Sequence, residues 1–184
     1  MNNTVTAVNI FDLLPICTTR LVLDVISVSD SSFLFDEYSK EIAEYMYHPA
    51  FIDREHANEL VINRIHENKL QKNAHLVIKN KDSEFIGCLG LIGIDTKKPQ
   101  IYLWIKKSAQ GIGYASEVVK KIVSLGSVLD FEYINYPACI NNKASLKIPL
   151  QLGAKLSAVY DLNTLGGNKL EINEHRFYFD SFNK

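Results

Sequence analysis

The chain has 184 residues, 47% of them hydrophobic and 22% charged. That length fits one domain at roughly 100–200 residues each, and nine Tyr, nine Phe and one Trp in such a composition exclude a disordered chain. Twenty Lys and Arg against twenty-one Asp and Glu give a net charge of −1, so there is no global basic field to hold a nucleic-acid backbone.

Residues 1–16 read as an N-terminal extension, polar and then weakly apolar. They lack the basic start and long apolar run of a secretory signal. A first strand is expected at Thr19 to Leu23. Ser29 and Asp30 then cap a helix from Ser31 to Tyr38, and a second helix runs from Lys40 to Tyr47, stopped by His48-Pro49. Asp53 caps a longer helix, in which Ala57, Leu60, Val61, Arg64 and Ile65 recur at helical spacing. Ala74 to Lys79 and Glu84 to Ile94 form a hairpin around the turn Asn80-Lys81-Asp82-Ser83. Ile101 to Ile105 is a fourth strand. A glycine loop follows, then a helix with Val118, Val119, Ile122 and Val123 on its apolar face. Tyr133 to Cys139 is a fifth strand. A short helix starts at Asn141-Asn142 and ends at Gly153, and a last hairpin pairs Lys155 to Leu162 with Lys169 to Phe179. This order predicts an α/β (α+β) layered domain around one central sheet.

Cys17, Cys88 and Cys139 are far apart and form no CxxC pair, so neither a disulfide framework nor a zinc ribbon is expected. The five His residues show no ligand spacing, so no metal is expected. No apolar run reaches about 20 residues, so no membrane partner is expected either. A reducing cytoplasm is the simplest setting.

The chemistry is concentrated in Gln110-Gly111-Ile112-Gly113-Tyr114-Ala115-Ser116. Glycines let the backbone approach a ligand, and free N–H groups at a helix start favour an anion. The segment is either a pyrophosphate cradle or a tight turn with two glycines. The dinucleotide fingerprint fails, because its third glycine position is Ser116, and the P-loop pattern is absent.

The same segment resembles the Q/R-x-x-G-x-G/A pattern of the GNAT superfamily of acetyl-CoA-dependent N-acetyltransferases. Asn142-Lys143-Ala144-Ser145, with Leu152-Gly153 following, is similar to the N-x-x-S…L-G-F segment of the branch that includes ribosomal-protein N-terminal acetyltransferases. Tyr102-Leu103-Trp104-Ile105 and Thr19-Arg20-Leu21-Val22-Leu23 resemble that branch's strands, so the likeness runs from about Thr19 to Ala154.

The resemblance implies a single domain over residues 1–184, with a mostly antiparallel, mixed sheet of about six to seven strands. The sheet splays between the fourth and fifth strands, and about four helices flank it. Acetyl-CoA would lie in the splay, its pantetheine beside Ile105 to Lys107. Gln110, Gly111, Ile112, Gly113, Tyr114, Ala115 and Ser116 would hold the pyrophosphate, and Asn142 and Ser145 would line the far side. The acetyl group would pass directly to a primary amine of a small molecule or a protein N-terminus, in a monomer or homodimer. The alternative is a non-catalytic acyl-CoA-binding protein on the same fold.

The pattern departs in three places, one of them Ala154, a smaller side chain where the family has the Phe after Leu-Gly. Relatives often carry a Glu base on the fourth strand, where this chain has Gln100, and an amide is no base at neutral pH. Many relatives outside this branch carry a Tyr acid where this chain has Pro149. Pro149 inside a helix predicts a kink or a late start. Tyr102 and Tyr136 are the substitute catalytic candidates, each otherwise a packing residue of the sheet. His75 reads as a core histidine or a base. Cys139 reads as inert packing or an acyl-cysteine. Asp36, Glu37, Glu41 and Glu44, among Tyr38, Tyr45 and Tyr47, read as a mouth for a cationic amine or as a solvated helix face.

Overall fold

The computed structural model describes residues 8–179. Residues 1–7 of the expected N-terminal extension lie outside that range. The remainder is not a loose extension, because Ile10 and Ile16 are buried in the main core.

Eight strands form one sheet: β1 (Ile16–Cys17), β2 (Leu21–Val25), β3 (Asn73–Asn80), β4 (Phe85–Ile92), β5 (Gln100–Ile105), β6 (Tyr133–Cys139), β7 (Lys155–Asn163) and β8 (Lys169–Tyr178). Their spatial order is β1-β2-β3-β4-β5-β6-β8-β7. All neighbours are antiparallel except β5 and β6. β4 reads as a nearly unbroken apolar run, and β3 is buried from Ala74 to Ile78 with His75 among apolar residues, because helices cover both faces.

One face carries α4 (Tyr114–Leu125) and α5 (Lys143–Gln151), where Val118, Val119, Ile122 and Ile148 bury against Leu76, Leu89, Ile101 and Ile134. The other carries α1 (Ser31–Glu37), α2 (Lys40–Ala43) and α3 (Arg54–Lys69), where Leu34, Tyr38, Ile42 and Val61 bury against Val77, Cys88 and Trp104. The fold is a layered α/β architecture with eight strands, one or two more than expected, and five α-helices among the described residues.

Several boundaries differ from expectation for local reasons. β4 stops at Ile92, because Gly93 is left-handed (φ 76°) and starts a 3-10 turn. α2 is four residues long, and the chain then leaves helical geometry ahead of His48-Pro49. α5 starts on time despite Pro149, since Asn142 caps it by accepting from the Ser145 N–H at 3.0 Å. Proline has no N–H to return to the Ser145 carbonyl one turn earlier, so that carbonyl loses its ordinary helical partner.

β5 and β6 share a single rung, Gln100 opposite Asn135, and then diverge. The Lys106 N–H donates to the Ile86 carbonyl at 2.8 Å, on the β4 side. By strand alternation, Leu103 and Ile105 turn their backbone groups the other way, into the widening gap.

Candidate active site

A cleft of about 620 Å³ occupies that gap. Its walls are Leu103 to Ile105 of β5, Tyr136 of β6, the start of α4, and Asn142 and Ser145 of α5. Backbone groups that face a cleft need partners from water or a ligand, which suits an arm bearing amides.

The loop at the cleft mouth is shaped for an anion. Gly111 and Gly113 hold φ of 81° and 88°, the left-handed region that glycine enters without strain. Gly113 is the N-cap of α4 and offers no side-chain cap, so the first N–H groups of the helix remain free for an acceptor. A Cβ at Gly111 would meet nothing within 4 Å, so its requirement is conformational and not steric. Gln110 ties the loop to the strand, its Nε2 donating to the Ile105 carbonyl at 2.9 Å.

A support that the sequence reading missed lies behind the loop. Arg20 donates through Nη1 to the Ile112 carbonyl at 3.0 Å, and its guanidinium stacks 4.5 Å from the Tyr114 ring centre. Glu117 of α4 holds Arg20 in turn, accepting from Nε at 2.7 Å and from the Arg20 N–H at 2.8 Å. It also accepts from the Thr18 hydroxyl at 2.6 Å. Partial burial pushes the Glu117 carboxyl up, but the bonds from Thr18 and Arg20 outweigh it and hold the group below its ordinary value. The available signal was Arg20 in the first strand together with an acidic residue in the first turn of α4.

Of the expected site residues, Ile105, Lys107, Gln110, Gly111, Gly113 and Tyr114 line the cleft, as do Ala115, Ser116, Asn142 and Ser145. Ile112 does not; its side chain is exposed and its carbonyl is taken by Arg20. Tyr136 lines the cleft, with its hydroxyl 3.0 Å from Ser145 Oγ, and burial pushes its pKa up. Tyr102 is not in the cleft wall. It points to the α3 face, where its hydroxyl meets His75 Nδ1 at 2.8 Å, and desolvation raises its pKa to about 12.

Glu41, Glu44 and Tyr45 of the expected acidic mouth line the cleft. Asp36 instead pairs with Arg54 at 2.8 Å, and the Tyr38 hydroxyl donates to the His48 carbonyl. Cys139 is buried among Leu170 and Ile172. Gln100 is exposed. Among the described residues, no group of three or more His, Cys, Asp or Glu side chains is placed to hold a metal, and no helix is long and apolar enough to cross a membrane.

Residues 20–155 match the acetyltransferase (GNAT) domain family. The chain belongs to the GNAT acetyltransferases. Solved structures agree on the fold of this GNAT enzyme. It is similar to a spermidine N-acetyltransferase from Vibrio cholerae bound to CoA and spermine, with 16% identity over 86% of this chain and 95% of that one, at a TM-score of 0.74. The ribosomal-protein α-N-acetyltransferase RimL, bound to CoA, gives 18% identity over 91% and 98%, at a TM-score of 0.80. The microcin C7 self-immunity acetyltransferase MccE, bound to acetyl-CoA and AMP, gives 19% over 88% and 93%, at 0.78. Among curated proteins, none matches the chain significantly. The GNAT enzyme is therefore an acetyl-CoA-dependent N-acetyltransferase, with acetyl-CoA as its acetyl donor.

Proposed function

We propose that the cleft between β5 and β6 seats acetyl-CoA and that the acetyl group passes directly to a cationic primary amine, of a small molecule or a protein N-terminus. The observation that carries this reading is the splay itself. It opens beyond one rung, presents the backbone groups of Leu103 and the Ile105 N–H, and ends at the glycine-capped start of α4. The pantetheine amides pair with β5, and the pyrophosphate sits on the N–H groups from Gly111 to Ser116. Lys107 adds a positive charge at the mouth. Asn142 and Ser145 close the far side, and the Tyr136 hydroxyl, bonded to Ser145, lies where a departing thiolate takes up a proton.

Glu41 and Glu44 offer carboxylates and Tyr45 an aromatic face on the acceptor side, which favours an ammonium group. One structural neighbour acts on spermidine and another on a ribosomal protein N-terminus, so both acceptor types belong in the first assay. The domain works alone or as a homodimer in the cytoplasm.

The test is thermal unfolding with acetyl-CoA, with ATP and NADH as controls, followed by thiol release with spermidine and with a peptide bearing a free N-terminal serine. Ligand at 100 times its Kd adds about 2.7 kcal/mol. For a domain of this size that raises the midpoint by roughly 5–10 °C. A shift with acetyl-CoA alone and thiol release with an amine are expected. The absence of any shift at saturating ligand overturns the seat, and a shift without release overturns the transfer.

A further inference from the structure

A helix that covers a sheet ordinarily turns apolar residues inward. The inward face of α3 does so at Ala57 and Val61 but then presents buried Arg64 and Asn68, with Glu67 beside them. These residues converge on His75 of β3, which is 4% exposed. Asn68 clamps its backbone, accepting from the His75 N–H at 2.7 Å and donating to its carbonyl at 2.9 Å. The ring is held on both sides, Nε2 against Glu67 Oε2 at 2.5 Å and Nδ1 against the Tyr102 hydroxyl at 2.8 Å. Across the sheet His75 faces Gly90, and Gly90 faces Tyr102. The glycine is what lets the two rings meet, since a Cβ there would lie 1.9 Å from Tyr102 Cε1.

The charges fix the protons. Burial pushes Glu67 up, but the bonds from Asn73 and His75 outweigh it and keep the carboxyl below its ordinary value, hence ionised. Desolvation holds the His75 pKa below its ordinary value; the bond to Glu67 raises it only in part and Arg64 lowers it again, so the ring is neutral at pH 7. A carboxylate only accepts, so Nε2 carries the proton and donates to Glu67. Nδ1 is then the acceptor, and the Tyr102 hydroxyl donates to it. The remaining lone pairs of Tyr102 are free to accept from a further N–H.

We propose that Tyr102, His75 and Glu67 form the proton-accepting relay of the acetyl transfer, with Tyr102 Oη receiving the proton of the attacking amine. The proposal rests on the acetyltransferase reading above. Tyr102 is the first residue past the last β5–β6 rung on the face of Gln100, and Trp104, next on that face, already lines the cleft. Tyr102 is not itself in the wall of the cleft, but by strand order it lies just beyond Trp104 toward the closed end of the splay, where an arm entering past Lys107 ends. An incoming ammonium loses one proton to solvent by this route. As the N–C bond forms, the second N–H proton moves to Tyr102 Oη while the tyrosine proton moves to His75 Nδ1. The imidazolium is held by Glu67, whose half-exposed carboxylate passes the proton to water. The C–S bond breaks and its electron pair leaves with the thiolate. Tyr102 is the catalytic residue in this scheme, and His75 and Glu67 act through it. The charged and titratable groups around the relay are Arg64 of α3, which lies 5.5 Å over the Tyr102 ring, Cys88 of β4, Tyr38 at the end of α1, and His48 from the segment after α2.

The experiment follows thiol release by the full chain, with spermidine and the serine peptide, across pH. It compares Tyr102→Phe, Glu67→Gln, His75→Gln and the Tyr102→Phe/His75→Gln double variant. General acid–base catalysis is worth about 10²–10⁴-fold. Each single change is expected to lower kcat by roughly 10²-fold or more, with acetyl-CoA affinity unchanged. The double variant is expected to be no slower than the slower single one, because the residues act as a unit. Wild-type kcat/KM falls with pH by one proton from the amine and, below the neutral-to-charged transition of His75, by a second from the ring, so the limb steepens there; in His75→Gln only the amine's slope remains. Glu67→Gln changes a half-exposed group and keeps the test valid if His75→Gln fails to fold. Full kcat in Tyr102→Phe, multiplicative losses in the double variant, or an unmoved acid limb overturns the relay alone. A wild-type chain that releases no thiol with either amine overturns the transferase reading and the relay together.

Discussion

Glu117→Gln separates the loop's shape from its ligand. In the wild type, Oε1 serves Thr18 and the Arg20 N–H, while Oε2 serves Arg20 Nε. Glutamine keeps the Oε1 bonds but turns an amide donor toward the Nε donor, so one charge-assisted bond is lost. Such a bond is worth about 1.5–3 kcal/mol when shielded. The Arg20 side chain is 44% exposed, so solvent screening brings the loss to roughly 1 kcal/mol, or about 2–4 °C in the midpoint. The larger effect falls on function. Arg20 steadies the Ile112 carbonyl, and releasing it should weaken acetyl-CoA binding about ten-fold, near 1.4 kcal/mol. The pH dependence has a definite sign. The folded pKa of Glu117 is depressed, so its contribution is complete above the ordinary carboxyl value of 4.5 and is lost as pH falls through the folded value. The assay is thermal unfolding of both proteins with and without acetyl-CoA, from pH 7 to pH 3.5. A stability gap that does not narrow at low pH, or an unchanged affinity, refutes the argument.

Three further outcomes are expected. Gly113→Ala forces a side chain onto φ 88°, at about 1–2 kcal/mol, with its methyl 3.6 Å from Arg20 Nη2 behind the loop; the strained loop turns its N–H groups away from the anion, and titration calorimetry should show at least a ten-fold loss of acetyl-CoA affinity in a folded protein. Gly90→Ala overpacks the Tyr102 ring and should cost about 1–3 kcal/mol, read as a lower denaturant midpoint with an unchanged slope. Asn142→Ala removes the cap of α5 and should cost about 1 kcal/mol by the same measurement.

Local patterns carried most of the fold. The apolar stripe of α4, the turn at Asn80 to Ser83 and the two-glycine loop each follow from neighbours in the chain, and the cleft brings together ten of the eleven cofactor-side residues expected. What stayed hidden depends on partners distant in sequence. β1 is two residues long and exists because Ile16 and Cys17 pair with Leu23 and Val22. β8 lies between β6 and β7, an order that no periodicity encodes. Arg20 reads as an ordinary strand residue until α4 places Glu117 beside it. Tyr102 and His75 were singled out separately, but their contact depends on Gly90, a residue with no side chain to read.

The borders of the sheet bear on what can join it. At one side β1 offers two residues, and at the other β7 is bulged between Leu156 and Ala158 and carries the Asp161–Lys169 ion pair at 2.7 Å. Short, kinked and charged margins resist the addition of a foreign strand. The inviting row of unpaired N–H and C=O groups lies instead in the interior, along β5 past Gln100. Its natural complement is an extended chain with amides at peptide-like spacing, and the pantetheine arm proposed for the cleft would complete the sheet as a ninth strand does.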